Sequence, residues 1–205
     1  CYFRDEKGSV RRSSAQHPHT DSSYRKVIQY IDYSESGGDY ESGHGSHVAG
    51  TVAGKCAYES HNSQNNEFEG MASGAKIAFF DIGENDKQQD LTIPDQLGTY
   101  IFSTAKSAGA RIHSNSWGGG YLYDAFTIAA DEYLFNNQDF LVVFAAGNSG
   151  SSGAHTITSP GLSKNVLAVA CSDTGHDGRQ NIDHIASFSS RGPTLDGRSK
   201  PEISA

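Results

Sequence analysis

A chain of 205 residues is long enough for a domain with a substantial core, and at this size folding buries roughly 70% of the unfolded surface. The net charge of −8 and the pI near 5.5 argue against a nucleic-acid binder, because no basic stripe is available to pair with phosphates. No apolar run approaches the roughly 20 residues that a membrane helix needs, and 23 glycines without a collagen period predict many tight turns.

Cys1, Cys56 and Cys171 are odd in number and contain no C-x-x-C pair, so they define neither a disulfide framework nor a zinc site. A Cys1–Cys56 bridge stays open for an oxidising compartment. There is no initiator methionine, signal peptide or pro-segment, and both ends fall in sequence that reads as ordered. The expectation is a fragment of a longer protein. With no repeat and no dividing linker, residues 1–205 read as a single, incomplete domain.

In chain order, residues 4–24 are polar and aperiodic and read as a surface loop in which His17 and His19 face solvent. Residues 26–31 are β-branched and aromatic, a strand. A polar, glycine-rich loop follows, and from His44 to about Ala53 a run of small residues predicts a tightly packed helix. Gly43 and Gly45 lack Cβ atoms, which would let another backbone approach the His44 imidazole. Residues 58–69 read as a polar loop. Residues 75–82 are almost continuously apolar, as in a parallel strand buried on both faces, and an acidic turn follows at 86–90. Leu97, Ile101, Phe102 and Ala105 recur at helical spacing and predict a helix over about 94–108.

Residues 111–116 form a short predicted strand. Asp124 can cap a helix whose apolar face uses Phe126, Ala129, Ala130, Tyr133 and Leu134. Residues 140–146 are the clearest strand, and 166–171 and 186–189 are two more. Strands alternating with helices imply crossovers, hence an α/β fold whose mainly parallel central sheet is covered by helices on both faces.

In such sheets ligands sit at the carboxyl ends of strands. Two polar clusters occupy that position, Ser114-Asn115-Ser116-Trp117-Gly118-Gly119 and Ala145-Ala146-Gly147-Asn148-Ser149-Gly150. Asn148 follows a strongly apolar strand, where its amide could project into a cleft; the plainer reading is an Asn-Ser-Gly turn.

His44-Gly45-Ser46-His47-Val48-Ala49-Gly50-Thr51-Val52-Ala53-Gly54 resembles the histidine motif of subtilisin-like serine proteases. The two polar clusters resemble that family's substrate-binding strand and oxyanion segment. Ser159-Pro160-Gly161 and Ala186-Ser187-Phe188-Ser189-Ser190-Arg191-Gly192-Pro193 follow in the family's order. Asn115-Ser116-Trp117-Gly118 and the long insert before His44 are similar to the KP-43-like branch. The resemblance implies a three-layer subtilisin-like fold and a serine endopeptidase that hydrolyses peptide bonds. It makes His44 the catalytic base and Asn148 the oxyanion donor. It makes Ser116, Trp117 and Gly118 the strand that pairs with extended protein or peptide substrate, with Ala145, Ala146 and Gly147 walling the pocket. It further implies a cis peptide at Pro160, secretion, and no cofactor for the chemistry. Many members hold structural calcium, but the acidic stretches at 81–90 and 173–183 match no defensible ligand spacing.

Two family motifs do not occur. No Asp-Ser/Thr-Gly precedes His44, and Asp173-Thr174-Gly175 has the letters in the wrong order along the chain. Asp32 ends a strand but lacks the motif, on what would be the wrong strand. No Gly-Thr-Ser-Met-Ala follows the terminal Pro201-Glu202-Ile203-Ser204-Ala205. The isolated chain is therefore expected to be inactive. Two alternatives stand beside the protease: a degenerate, peptide-binding domain, and a metal hydrolase using His44 and His47, which at i and i+3 share a helix face but lack the glutamate of H-E-x-x-H.

Overall fold

The computed structural model describes residues 2–35, 39, 43–57, 68–84, 91–173 and 183–205. The chain forms two compact units, Cys1–Pro94 with Thr99–Ala110, and Asp95–Gly98 with Arg111–Ala205.

The first unit is built on a parallel sheet in the order β1 (Arg12–Ser13), β2 (Val27–Asp32), β3 (Ile77–Asp81). β2 and β3 form where the β-branched and aromatic runs predict them, and Ile31 is fully buried. β1 lies inside the stretch expected to be loop. Two residues without alternation carry no strand signal; their pairing comes from β2, through Ser13 Oγ donating to Tyr30 O, Arg12 facing Asp32 at 3.6 Å and the Arg12 guanidinium over the Tyr30 ring. α1 (His44–Ala53) packs against β3. Its last carbonyls, which no helical amide can reach, accept from the following segment: Met71 N–H donates to Thr51 O at 3.0 Å and Ala72 N–H to Val52 O at 2.8 Å. That segment is pinned in turn by buried Lys26, whose Nζ donates to the carbonyls of Ser73 and Ala75.

The helix expected over 94–108 is shorter and begins differently. It opens as a π-helical turn, Gly98–Phe102, and becomes α2 only at Ser103–Ser107. Ser103 Oγ donates to Thr99 O, and Thr104 Oγ1 to Tyr100 O and Ile101 O, so hydroxyls occupy carbonyls that a regular first turn would use.

The second unit carries a four-stranded parallel sheet in the order β4 (Ile112–Asn115), β5 (Leu141–Ala145), β6 (Leu167–Ala170), β7 (Ile203–Ser204). α3 (Ala125–Asn136) connects β4 to β5, and Asp124 caps it as expected, accepting from Thr127 N–H at 3.0 Å. The buried positions of α3 are Thr127, Ala130 and Leu134; Phe126, Ala129 and Tyr133 are half-buried. Periodicity could not include Thr127, which is buried because its hydroxyl meets the Asp124 carboxylate and Ser159.

Residues 186–189 do not form the expected strand. They make a turn, with Ser189 N–H on Ala186 O, because their backbone groups bond residues 150 and 171 rather than a neighbouring strand. The parallel α/β reading holds in each unit. Among the described residues no helix is long and apolar enough to cross a membrane. The acidic turn at 86–90, most of the polar loop at 58–69, Asp173-Thr174-Gly175 beyond Asp173, and Cys1 lie outside the described residues.

Candidate active site

His44 is the first residue of α1 and is exposed, in the first unit. Gly43 precedes it at φ 66, the left-handed region where a Cβ would be strained, and so turns the chain into the helix. A Cβ on Gly45 would sit 3.2 Å from the Phe79 ring and 3.6 Å from the Asp39 carboxylate. Asp39 Oδ2 accepts the Ser46 N–H at 2.7 Å, which satisfies an orphan donor and sets a negative charge at the positive end of the helix. The glycines therefore serve the helix start and its packing. His47 is exposed, and its N–H donates to Gly43 O at 2.9 Å.

In the second unit, Ser116, Trp117 and Gly118 leave the carboxyl end of β4, and Ala146, Gly147 and Asn148 leave that of β5, with Ala145 its last residue. The parallel register, which pairs Asn115 with Phe144, brings the two ends side by side. Buried Asn115 ties them together. Its Nδ2 donates to Val143 O at 3.1 Å, and its Oδ1 accepts from Trp117 Nε1 at 3.1 Å, while the indole meets the Phe144 ring edge-on at 5.1 Å. Ser116 and Gly118 are left exposed. Gly119 and Gly120 pair with Ser159, through Gly119 N–H on Ser159 O at 3.0 Å and Ser159 N–H on Gly120 O at 3.1 Å. The Ser159–Pro160 peptide is cis.

Ala145 is exposed, whereas Ala146 is buried with Ile157 and Leu162. Gly147 has φ 112, and a Cβ there would lie 2.7 Å from Ser190 Oγ and 2.9 Å from Thr158 Cγ2. Thr158 also lies against Gly118, at 2.8 Å from the position a Cβ would take. The two strand ends thus converge on one threonine. Asn148, next in the chain, is exposed. Ser149 N–H donates to Ser190 Oγ at 3.0 Å and Tyr121 OH to Ser149 Oγ at 3.0 Å. An amide at an exposed corner fixed by a left-handed glycine can donate to an anion, and the exposed residues Ser116 and Gly118 leave this strand end open to an extended chain.

The second unit therefore gathers Ser116, Trp117, Gly118, Ala145, Ala146, Gly147 and Asn148 at one end of its sheet; His44 belongs to the first unit. Thr158, Tyr121 and Ser190 were not singled out by sequence. Ser159-Pro160 and Phe188-Ser189-Ser190 mark the segments of Thr158 and Ser190 without saying which side chain faces the corner, and nothing marked Tyr121. Among the described residues no group of three or more His, Cys, Asp or Glu side chains is placed to hold a metal ion. The buried Asp81 carboxylate is engaged by Tyr30 OH at 2.5 Å and by Gly83 N–H at 3.0 Å.

Residues 11–205 match the sequence model of the Subtilase family, Peptidase S8. Relatives include the serine protease/ABC transporter B family protein tagD of Dictyostelium discoideum, 34% identical over 185 residues and 86% of this chain. Serine protease AprX of Bacillus subtilis is 32% identical over 176 residues, and alkaline protease 1 of Aspergillus clavatus 33% over 171, each across 80% of this chain. The chain spans only 10% of tagD, 38% of AprX and 36% of the alkaline protease. Among solved structures, the prenylagaramide maturation protease PagA aligns with a TM-score of 0.54 and 21% identity over 78% of this chain and 53% of its own, a likeness of fold. The chain belongs to the subtilase family of serine peptidases.

Proposed function

We propose that the whole protein is a subtilisin-like serine endopeptidase, in which His44 is the general base, Asn148 the oxyanion donor and residues 116–118 the strand that binds extended substrate. The aspartate and serine of its triad come from sequence outside these 205 residues, which carry no Asp-Ser/Thr-Gly before His44 and no Gly-Thr-Ser-Met-Ala. In this reading His44 takes the proton of the serine hydroxyl as it attacks the scissile carbonyl, then gives it to the leaving amine. The carboxamide of Asn148 donates to the oxyanion of the tetrahedral intermediate, from a corner fixed before charge develops. Ala145, Ala146 and Gly147 wall the pocket for the substrate residue before the scissile bond, and the protein works in a secretory compartment.

The observation that carries this reading is the convergence of the β4 and β5 ends on Thr158, with Asn148 exposed after one and Ser116 and Gly118 exposed after the other. It is supported by the family match across residues 11–205. The test is fluorophosphonate labelling of the whole protein together with peptidase kinetics. Wild type should label and His44→Ala should not, while Asn148→Ala should lower kcat by roughly 10²–10³, the usual cost of removing one oxyanion donor. Labelling that survives His44→Ala unchanged rejects the assignment.

A further inference from the structure

Asn148 is exposed, so packing around its own side chain does not set its direction; the backbone on either side must. That backbone is held by one buried residue. Ser190 is 1% exposed, and its two bonds bracket Asn148: its N–H donates to Gly147 O at 3.0 Å, and its Oγ accepts the Ser149 N–H at 3.0 Å. The same stretch is pressed against the corner further on. Gly150 N–H donates to Phe188 O at 2.8 Å, and a Cβ on Gly150 would fall 1.9 Å from Ser189 O.

We infer that Ser190 is the positioning residue of the oxyanion donor, acting through the backbone of residues 147–149 to aim the Asn148 carboxamide. The inference rests on the reading of Asn148 given above. Ser190 touches no reacting atom. What it sets is the φ and ψ of Asn148, the backbone torsions that fix the direction in which the side chain leaves the corner, and a donor displaced by about 1 Å loses much of its effect on the transition state. The neighbouring serine supplies the control. Ser189 is equally buried at 1%, but its Oγ accepts the Cys171 N–H at 3.0 Å, at the end of β6, and not an amide of residues 147–149.

The experiment compares Ser190→Ala, Ser189→Ala, Asn148→Ala and the Ser190→Ala/Asn148→Ala double variant in the whole protein, reading kcat and KM separately along with thermal stability and amide exchange. Ser190→Ala should lower kcat by about 10- to 100-fold with KM within about two-fold, the pattern of an interaction made in the transition state. Ser189→Ala should match its loss of Tm and keep kcat. On top of Asn148→Ala, the Ser190 change should cost less than about two-fold, because its effect runs through the missing carboxamide. Exchange at the Ser149 amide should speed up in Ser190→Ala alone. If Ser190→Ala does not fold, Ser190→Cys keeps the volume and weakens the acceptor, and is read the same way. Wild-type kcat in Asn148→Ala overturns the oxyanion reading itself. A loss in Asn148→Ala with full kcat in Ser190→Ala, or with fully additive losses, overturns only the positioning role.

Discussion

On β4 the His113 imidazole packs against the Phe140 ring, 6.4 Å between centroids, with Nδ1 shut off from solvent. Burial pushes its pKa down to about 4, against a smaller upward pull from the Asn115 hydrogen bond. The unfolded chain binds this proton near pH 6.5 and the folded one only near 4, so between those values unfolding takes up a proton. The stability His113 gives is complete above pH 6.5 and is lost as pH falls towards 4, by up to about 3 kcal/mol. Melting curves at pH 7 and pH 5 should show this slope, and it should flatten in His113→Leu; an unchanged slope would mean that other groups carry the acid sensitivity. No sequence pattern points to His113, because a histidine between Ile112 and Ser114 on a four-residue strand reads the same buried or exposed. Asp124 was legible for the opposite reason, since a cap acts three residues away along the same chain.

At the scale of elements, α3 is tied to the segment that pairs with residues 119 and 120. Asp124 Oδ1 accepts from Thr127 N–H, Thr127 Oγ1 and Ser159 Oγ, the last at 2.5 Å, and Ser163 Oγ donates to Thr127 O. Asp124→Ala removes a helix cap and leaves two buried hydroxyls with only each other, so it should cost about 2–3 kcal/mol. Asp124→Asn keeps the cap and should cost less than half as much; equal losses in denaturant titrations would show that the network adds nothing. A similar tie holds β7. Buried Lys200 donates to Glu202 at 2.6 Å and to Val166 O at 2.9 Å, while Glu202 Oε2 accepts the Ala168 N–H at 2.7 Å and so extends the ladder with a side chain. The longer strands were visible in their apolar runs, each within a residue or two of its observed ends. The two-residue β1 and the π-helical start of α2 were not, because their geometry is decided by a partner strand and by hydroxyls competing for carbonyls.

For the molecule as a whole, the function proposed here needs an aspartate and a serine that no motif in these residues supplies. The 205-residue chain alone should therefore take up no fluorophosphonate under conditions where the whole protein is labelled, and labelling of the short chain would point to a nucleophile within it. By itself the sequence determined the family, the parallel α/β order of strands and helices, and the segments around His44, Ser116 and Asn148. Those are properties of short runs, whose periodicity and motif order survive without any knowledge of contacts. Tertiary structure alone decided that Gly45 makes room for Phe79 and Asp39, that Thr158 meets both Gly118 and Gly147, and that Ser190 rather than Ser189 holds the Asn148 corner. Each of these joins residues that no local pattern relates, or separates two adjacent serines by the direction they face, and only the folded backbone sets such distances and directions.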